Sequence, residues 1–124
     1  MKKCVFCNDQ NIWINDKLAF AIFDKYPVTE LHSLIIPKRH VKTFFELSQS
    51  EKIACISSLD KIKTKLLKKD KSISGFNVGF NAGKDSGQTI MHCHIHVIPR
   101  RKGDIKDPEG GIRNIIPGKG LYQS

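Results

Sequence analysis

The sequence predicts an α+β domain of about five antiparallel strands and one long helix. Three observations carry this. Short apolar segments rich in branched and aromatic residues occur before residue 37 and after residue 74. A single stretch of helical periodicity lies between them, and His92-Cys93-His94-Ile95-His96-Val97-Ile98 alternates with the period of a strand.

Ile12 to Ile14 and Leu18 to Phe23 read as two strands joined by a tight turn at Asn15-Asp16. Leu31 to Ile36, stopped by Pro37, reads as a third. Ser48 and Glu51 match a capping box, after which Ile53, Ile56, Leu59, Ile62 and Leu66 recur at helical spacing to about residue 69. Ser74 to Asn81 and His92 to Ile98 complete the strands. Beyond Pro99, Gly103, Pro108, Gly110, Gly111, Pro117, Gly118 and Gly120 predict an irregular tail over residues 102–124.

A chain of 124 residues suits one core, and its 40% apolar and 27% charged residues argue against disorder or a fibrous class. No apolar run approaches the ~18 residues of a membrane span, and no apolar segment follows Met1-Lys2-Lys3 as in a secretory signal. A cytoplasmic protein is expected. There the four cysteines would not form a disulfide framework, so Cys4-x-x-Cys7 points to metal or redox chemistry. Cys55 reads as a small buried side chain with a reactive thiol as the alternative, and Cys93 as core.

The formal charge of +9 favours an anionic partner such as a nucleotide, nucleic acid or acidic lipid. Much of the excess lies in Lys61, Lys63, Lys65, Lys68, Lys69 and Lys71, which read as a solvated helix face. No aromatic stripe for base stacking is present, which argues against nucleic acid.

Alternation puts His92, His94 and His96 on one strand face and Cys93, Ile95 and Val97 on the other. Three imidazoles in register need a partner for each ring nitrogen if buried, so a purely structural role explains them poorly. Metal binding and nucleophilic or acid-base chemistry both remain. The preceding segment, Asn81 to Thr89, offers Gly83 and Gly87 for close backbone approach and Ser86, Gln88 and Thr89 as short donors, which suits phosphate oxygens. Joined to the histidines in a basic protein, it favours phosphoryl or nucleotidyl transfer.

Gly87 to Arg100, with the His-x-His-x-His core, resembles the motif of the histidine-triad nucleotide-binding proteins, and Leu31 to His40 is similar to that family's earlier strand and Pro-Lys-x-His segment. The resemblance covers roughly residues 4–100. It implies a catalytic domain over 1–101 followed by the 102–124 tail. It also implies that His94 is the nucleophile, that His96 contacts the phosphate, and that His92 and Thr89 complete the catalytic group. Asp24 would bind ribose hydroxyls, Asn81, Gly87 and Gln88 would surround the phosphate and leaving group, and His32 would sit beside the triad.

Cys4-x-x-Cys7 supplies only half of a tetrahedral zinc site, and the residues alone leave free thiols or a redox pair open. The resemblance implies structural zinc held by Cys4, Cys7, His40 and His92, and a homodimer. It implies an enzyme that cleaves adenosine nucleotide conjugates, phosphoramidates or dinucleoside polyphosphates, through a nucleotidyl-histidine. The segment Asp107 to Gly120 is similar to the tail of bacterial members described as diadenosine tetraphosphate hydrolases. A binding module without turnover and a transferase using phosphate as acceptor are the alternatives.

Overall fold

A computed structural model describes residues 4–7 and 11–122. Its strands are β1 (Ile12–Asn15), β2 (Ala19–Phe23), β3 (Ser33–Pro37), β4 (Ile73–Gly79) and β5 (Ile95–Arg101), with helix α1 (Gln49–Lys69) between β3 and β4. All pairings are antiparallel, and the spatial order is β1-β2-β3-β5-β4. The last strand therefore lies inside the sheet, between β3 and β4, and β4 forms an edge.

The β1–β2 turn closes through Asp16 N–H to the Ala19 carbonyl, 2.9 Å. The Asp16 carboxylate also accepts from Lys61 Nζ at 2.6 Å and Ser58 Oγ at 3.2 Å on α1. The Lys61 bond lowers the Asp16 carboxyl below its usual range. Lys61 is thus a tie between helix and turn, while Lys63, Lys65, Lys68 and Lys69 are exposed on α1 and Lys71 is exposed just beyond its end.

Helix α1 starts at the capping box: Glu51 N–H donates to Ser48 Oγ at 3.2 Å, and Ser48 N–H donates to Glu51 Oε1 at 2.8 Å. Arg39 adds two bonds to the Glu51 carboxylate, at 2.8 and 3.0 Å, and with the cap it holds that group down to about 2. The buried face carries Cys55, Ser58, Ile62 and Leu66. Full burial of Ile62 and Leu66 contributes about 1.5–3 kcal/mol each, and Leu66→Ala would cost about 2–5 kcal/mol.

Ile53 and Ile56 do not join that face; each is 58% exposed. At 3.6 residues per turn, each i to i+3 step drifts about 60° around the helix, so the stripe from 53 to 62 winds off the core. Cys55 and Cys93 are buried together in the core, where desolvation pushes their thiols up to about 11 and 12. Both are inert thiols, and the reactive alternative for Cys55 has no support.

Two strands begin later than the sequence suggests. Leu31 has φ 72, inside a turn closed by His32 N–H to the Thr29 carbonyl at 3.1 Å, so β3 begins at Ser33. His92 to His94 precede β5; Cys93 N–H bonds the Val41 carbonyl at 2.7 Å, outside the β3–β5 register. Cys93, Ile95 and Val97 still enter the core shared with α1, while Phe6, Phe20, Ile22, Leu34 and Ile36 cluster separately. Leu34 pairs with His96 across β3 and β5, which puts the histidine on the Leu34 side of the sheet. After β5, the chain to residue 122 holds one 3-10 turn, Gly111–Ile115.

Candidate functional site

His92 and His94 face different partners. His94 Nδ1 lies 2.9 Å from the His92 carbonyl, which can only accept, so in the neutral ring Nδ1 carries the proton and Nε2 the lone pair. Among the described residues no group bonds that Nε2. His94 lines a cavity of about 500 Å³ with Phe6, Asp24, Asn81, Thr89 and His96.

His96 is oriented from behind. The Val28 N–H donates to His32 Nδ1 at 3.1 Å, which leaves the proton of a neutral His32 on Nε2, 2.9 Å from His96 Nδ1. His96 Nδ1 therefore accepts, and its own proton resides on Nε2. Burial, with His94 and His32 nearby, lowers His96 to about 4, and burial also lowers His32 against the opposing pull of Asp24. At neutral pH His96 is an uncharged donor.

Asp24 Oδ1 accepts from Tyr26 N–H at 2.9 Å, while Oδ2 stands 3.6 Å from His32 Nε2. Asp24, His32 and His96 have ligand atoms within 4.8 Å of one another. A cation on His32 Nε2 would force the ring proton to Nδ1, against the Val28 N–H, so these three fit a proton relay better than a metal site.

Cys4, Cys7, His40 and His92 form a second cluster able to hold a metal ion. Cys4 Sγ is 3.3 Å and Cys7 Sγ 3.5 Å from His92 Nδ1, and Cys7 Sγ is 3.2 Å from His40 Nδ1. Sulfur and nitrogen ligands of one tetrahedral zinc stand about 3.6 Å apart, so the donors fit such an ion. His92 Nε2 donates to the Pro37 carbonyl at 2.8 Å, which frees Nδ1 as a ligand. Burial lowers His92, with His40 and His94 adding to it and the Pro37 bond opposing, which keeps the ring neutral as a ligand must be.

The HIT domain family matches residues 6–103. The chain belongs to the HIT domain family. It is 34% identical over 96 residues to a bis(5'-nucleosyl)-tetraphosphatase (asymmetrical) of Schizosaccharomyces pombe, covering 77% of this chain and 52% of that protein. An adenylylsulfatase of Arabidopsis thaliana is 40% identical over 89 residues, covering 72% of this chain and 45% of that one. The chain thus spans about half the length of these two relatives. A crystal structure of a hypothetical histidine triad nucleotide-binding protein from Sulfolobus tokodaii superposes with TM-score 0.75 at 30% identity, covering 84% of this chain and 73% of the other.

Within this HIT domain, Asp24, Asn81, Gly87, Gln88, Thr89, His94 and His96 line one cavity, with His32 immediately behind His96. His92 stands apart from them: it is fully buried, and both ring nitrogens face other partners. Gln88 is 4% exposed; its Oε1 accepts from Gly83 N–H, and its Nε2 donates to the Lys42 and Ile90 carbonyls. Its carboxamide braces the loop. Gly87, at φ 93, makes the turn that returns the loop to the cavity, a conformation that favours glycine.

Sequence reasoning missed Val28, whose backbone N–H sets the His32 tautomer, and Phe6, whose ring centroid lies 4.9 Å from that of His94. Phe6 had a signal. It stands between two candidate ligand cysteines, so any fixation of Cys4 and Cys7 also fixes it.

Proposed function

We propose that this protein is a nucleotide hydrolase that attacks the α-phosphate of adenosine nucleotide conjugates, phosphoramidates or dinucleoside polyphosphates, and passes through a nucleotidyl-His94 intermediate. The carrying observation is the 2.9 Å bond from His94 Nδ1 to the His92 carbonyl, which in the neutral ring puts the proton on Nδ1 and the lone pair on Nε2. The relatives named for tetraphosphatase and adenylylsulfatase activity support the same class of chemistry.

In the first step the Nε2 lone pair of His94 forms a bond to phosphorus. The bond from phosphorus to the leaving group breaks, and its electron pair departs with that group. His96 donates its Nε2–H to the oxygen charge that builds, and the His32 relay holds it at that angle. Thr89 and the loop backbone are further donors, and Asp24, in the same cavity lining, accepts from the ribose hydroxyls. Water then attacks phosphorus and gives up a proton to the medium, matching the proton the departed leaving group takes from it, while the N–P bond breaks and its electron pair returns to His94. The product is the nucleoside monophosphate. Phosphate in place of water would make the same adduct a transferase intermediate.

Cys4, Cys7, His40 and His92 would hold a zinc ion. Bound there, zinc cross-links the residue 4–7 turn to the segments carrying His40 and His92, a structural service. A homodimer is supported by the open edge of β4 and by Phe45, Ile53 and Ile56, large apolar side chains left exposed. No helix among the described residues is long and apolar enough to cross a membrane, and a reducing cytoplasm would keep Cys4 and Cys7 as thiolate ligands. Residues 1–101 would form the catalytic domain and 102–124 its tail.

Rapid quenching tests the reading. The protein is mixed with an adenosine phosphoramidate or a diadenosine polyphosphate, with and without inorganic phosphate, and the peptide containing His94 is weighed by mass spectrometry. One adenylyl group on that peptide, lost again on further turnover, is the expected result. Turnover with no adduct at any quench time would overturn the covalent mechanism.

A further inference from the structure

Cys4 and Cys7 bracket Val5 and Phe6, so whatever immobilises the two thiols immobilises these residues as well. Residues 4–7 belong to no strand or helix. The contacts that tie their turn to the fold include Cys4 Sγ to His92 Nδ1 and Cys7 Sγ to His40 Nδ1, together with the packing of Phe6 on Phe20, Ile22, Leu34 and Ile36. Val5 and Phe6 both line the cavity that holds Asp24, His94 and His96. The same short turn is one side of the metal cluster and one wall of the nucleotide cavity.

Phe6 is 6% exposed and lies between the two sites: its ring centroid is 6.1 Å from that of His92 and 4.9 Å from that of His94. His92 makes a second link. Its Nδ1 is a cluster atom, while its carbonyl accepts the proton of His94 Nδ1. An ion that fixes the His92 ring therefore also steadies the group that sets the tautomer of His94.

We propose that the metal cluster and the nucleotide cavity are thermodynamically coupled through Phe6. An ion held by Cys4, Cys7, His40 and His92 clamps the Val5–Phe6 wall over His94, so metal and nucleotide each raise the other's affinity. The inference rests on the nucleotide reading given above. With the cluster empty, a bound nucleotide must itself order the turn that forms its wall, and part of its binding free energy is lost to that ordering. Linkage makes the effect reciprocal: a nucleotide that packs on Phe6 holds Cys4 and Cys7 in place for the ion.

The test uses zinc and AMP as probes on the full chain. Zinc affinity is measured by competition with a chromophoric chelator, with and without saturating AMP, and AMP affinity by calorimetry on zinc-loaded and chelator-treated protein. Each ligand should tighten the other by about ten-fold, inside the usual range of coupling between sites. Phe6→Ala keeps all four ligands and should still bind zinc, but its zinc affinity should no longer respond to AMP. Phe6→Leu serves if the alanine variant fails to fold, and it should give a smaller coupling factor than the parent.

Equal AMP affinity with and without zinc would overturn the coupling and leave the nucleotide reading intact. A ten-fold linkage that persists in Phe6→Ala, or an unchanged factor in Phe6→Leu, would also overturn it, because the linkage would then run through His92 or through folding of the whole chain and not through Phe6. Absence of zinc binding overturns it as well. Absence of AMP binding in either form would instead overturn the nucleotide reading on which the inference rests.

Discussion

His32 Nε2 lies 2.9 Å from His96 Nδ1, and because the Val28 N–H already occupies the other side of the His32 ring, the proton between the two imidazoles belongs to His32. His96 is thereby left with a donor facing the cavity. Removing this orientation without touching the substrate gives a graded prediction. His32→Ala should lower kcat by about ten-fold with little change in KM, the equivalent of one hydrogen bond of about 1–1.5 kcal/mol. His96→Asn removes the donor itself and should lower kcat by about 10²- to 10³-fold. Steady-state kinetics on a phosphoramidate separates the two, and equal losses would contradict the relay.

His94→Asn keeps approximate size and polarity but has no imidazole nitrogen to form the adduct. Turnover should fall by several orders of magnitude while AMP affinity, measured by calorimetry, changes little. A variant that retains near-normal turnover would exclude His94 as nucleophile. Loss of nucleotide and zinc together would indicate that the substitution had disturbed the neighbouring cluster through His92.

The depressed His96 value also sets a direction for stability against pH. The folded protein holds His96 at about 4, against an ordinary imidazole value of 6.5, so between these values the unfolded chain binds more protons than the folded one. The stabilising contribution is complete above pH 6.5 and is lost as pH falls toward 4. Thermal melts should show the midpoint dropping across that window. The drop should be smaller in His96→Asn, and an identical pH slope in that variant would refute the assignment.

Metal analysis after dialysis should find about one zinc per chain. Cys4→Ser should lower the ion's affinity and the melting temperature, and chelation should do the same to the parent protein. Near-zero zinc in protein prepared without chelator would remove the structural metal from the account.

Light scattering should give the mass of a dimer at micromolar concentration. Ile56→Asp places a charge on the exposed apolar face of α1 and should shift the mass toward the monomer without loss of helix content by circular dichroism. A monomeric parent would leave the exposed apolar side chains unexplained by self-association.

What the sequence by itself determined are the features that depend on neighbours along the chain. The Ser48–Glu51 cap, the helix to residue 69, the alternation that buries Cys93, Ile95 and Val97, and the glycine turn before the histidines all follow from local periodicity and backbone chemistry. The tertiary structure decided the rest. It alone set β5 between β3 and β4, turned Ile53 and Ile56 outward, and tied up the Gln88 amide in the loop. It also divided three histidines that look equivalent in sequence: His92 faces Cys4 and Cys7, 88 and 85 residues away, while His96 faces His32, 64 residues away. A strand's period fixes which side a ring leaves the backbone, but which ring nitrogen carries its proton depends on donors and acceptors that only folding brings within about 3 Å.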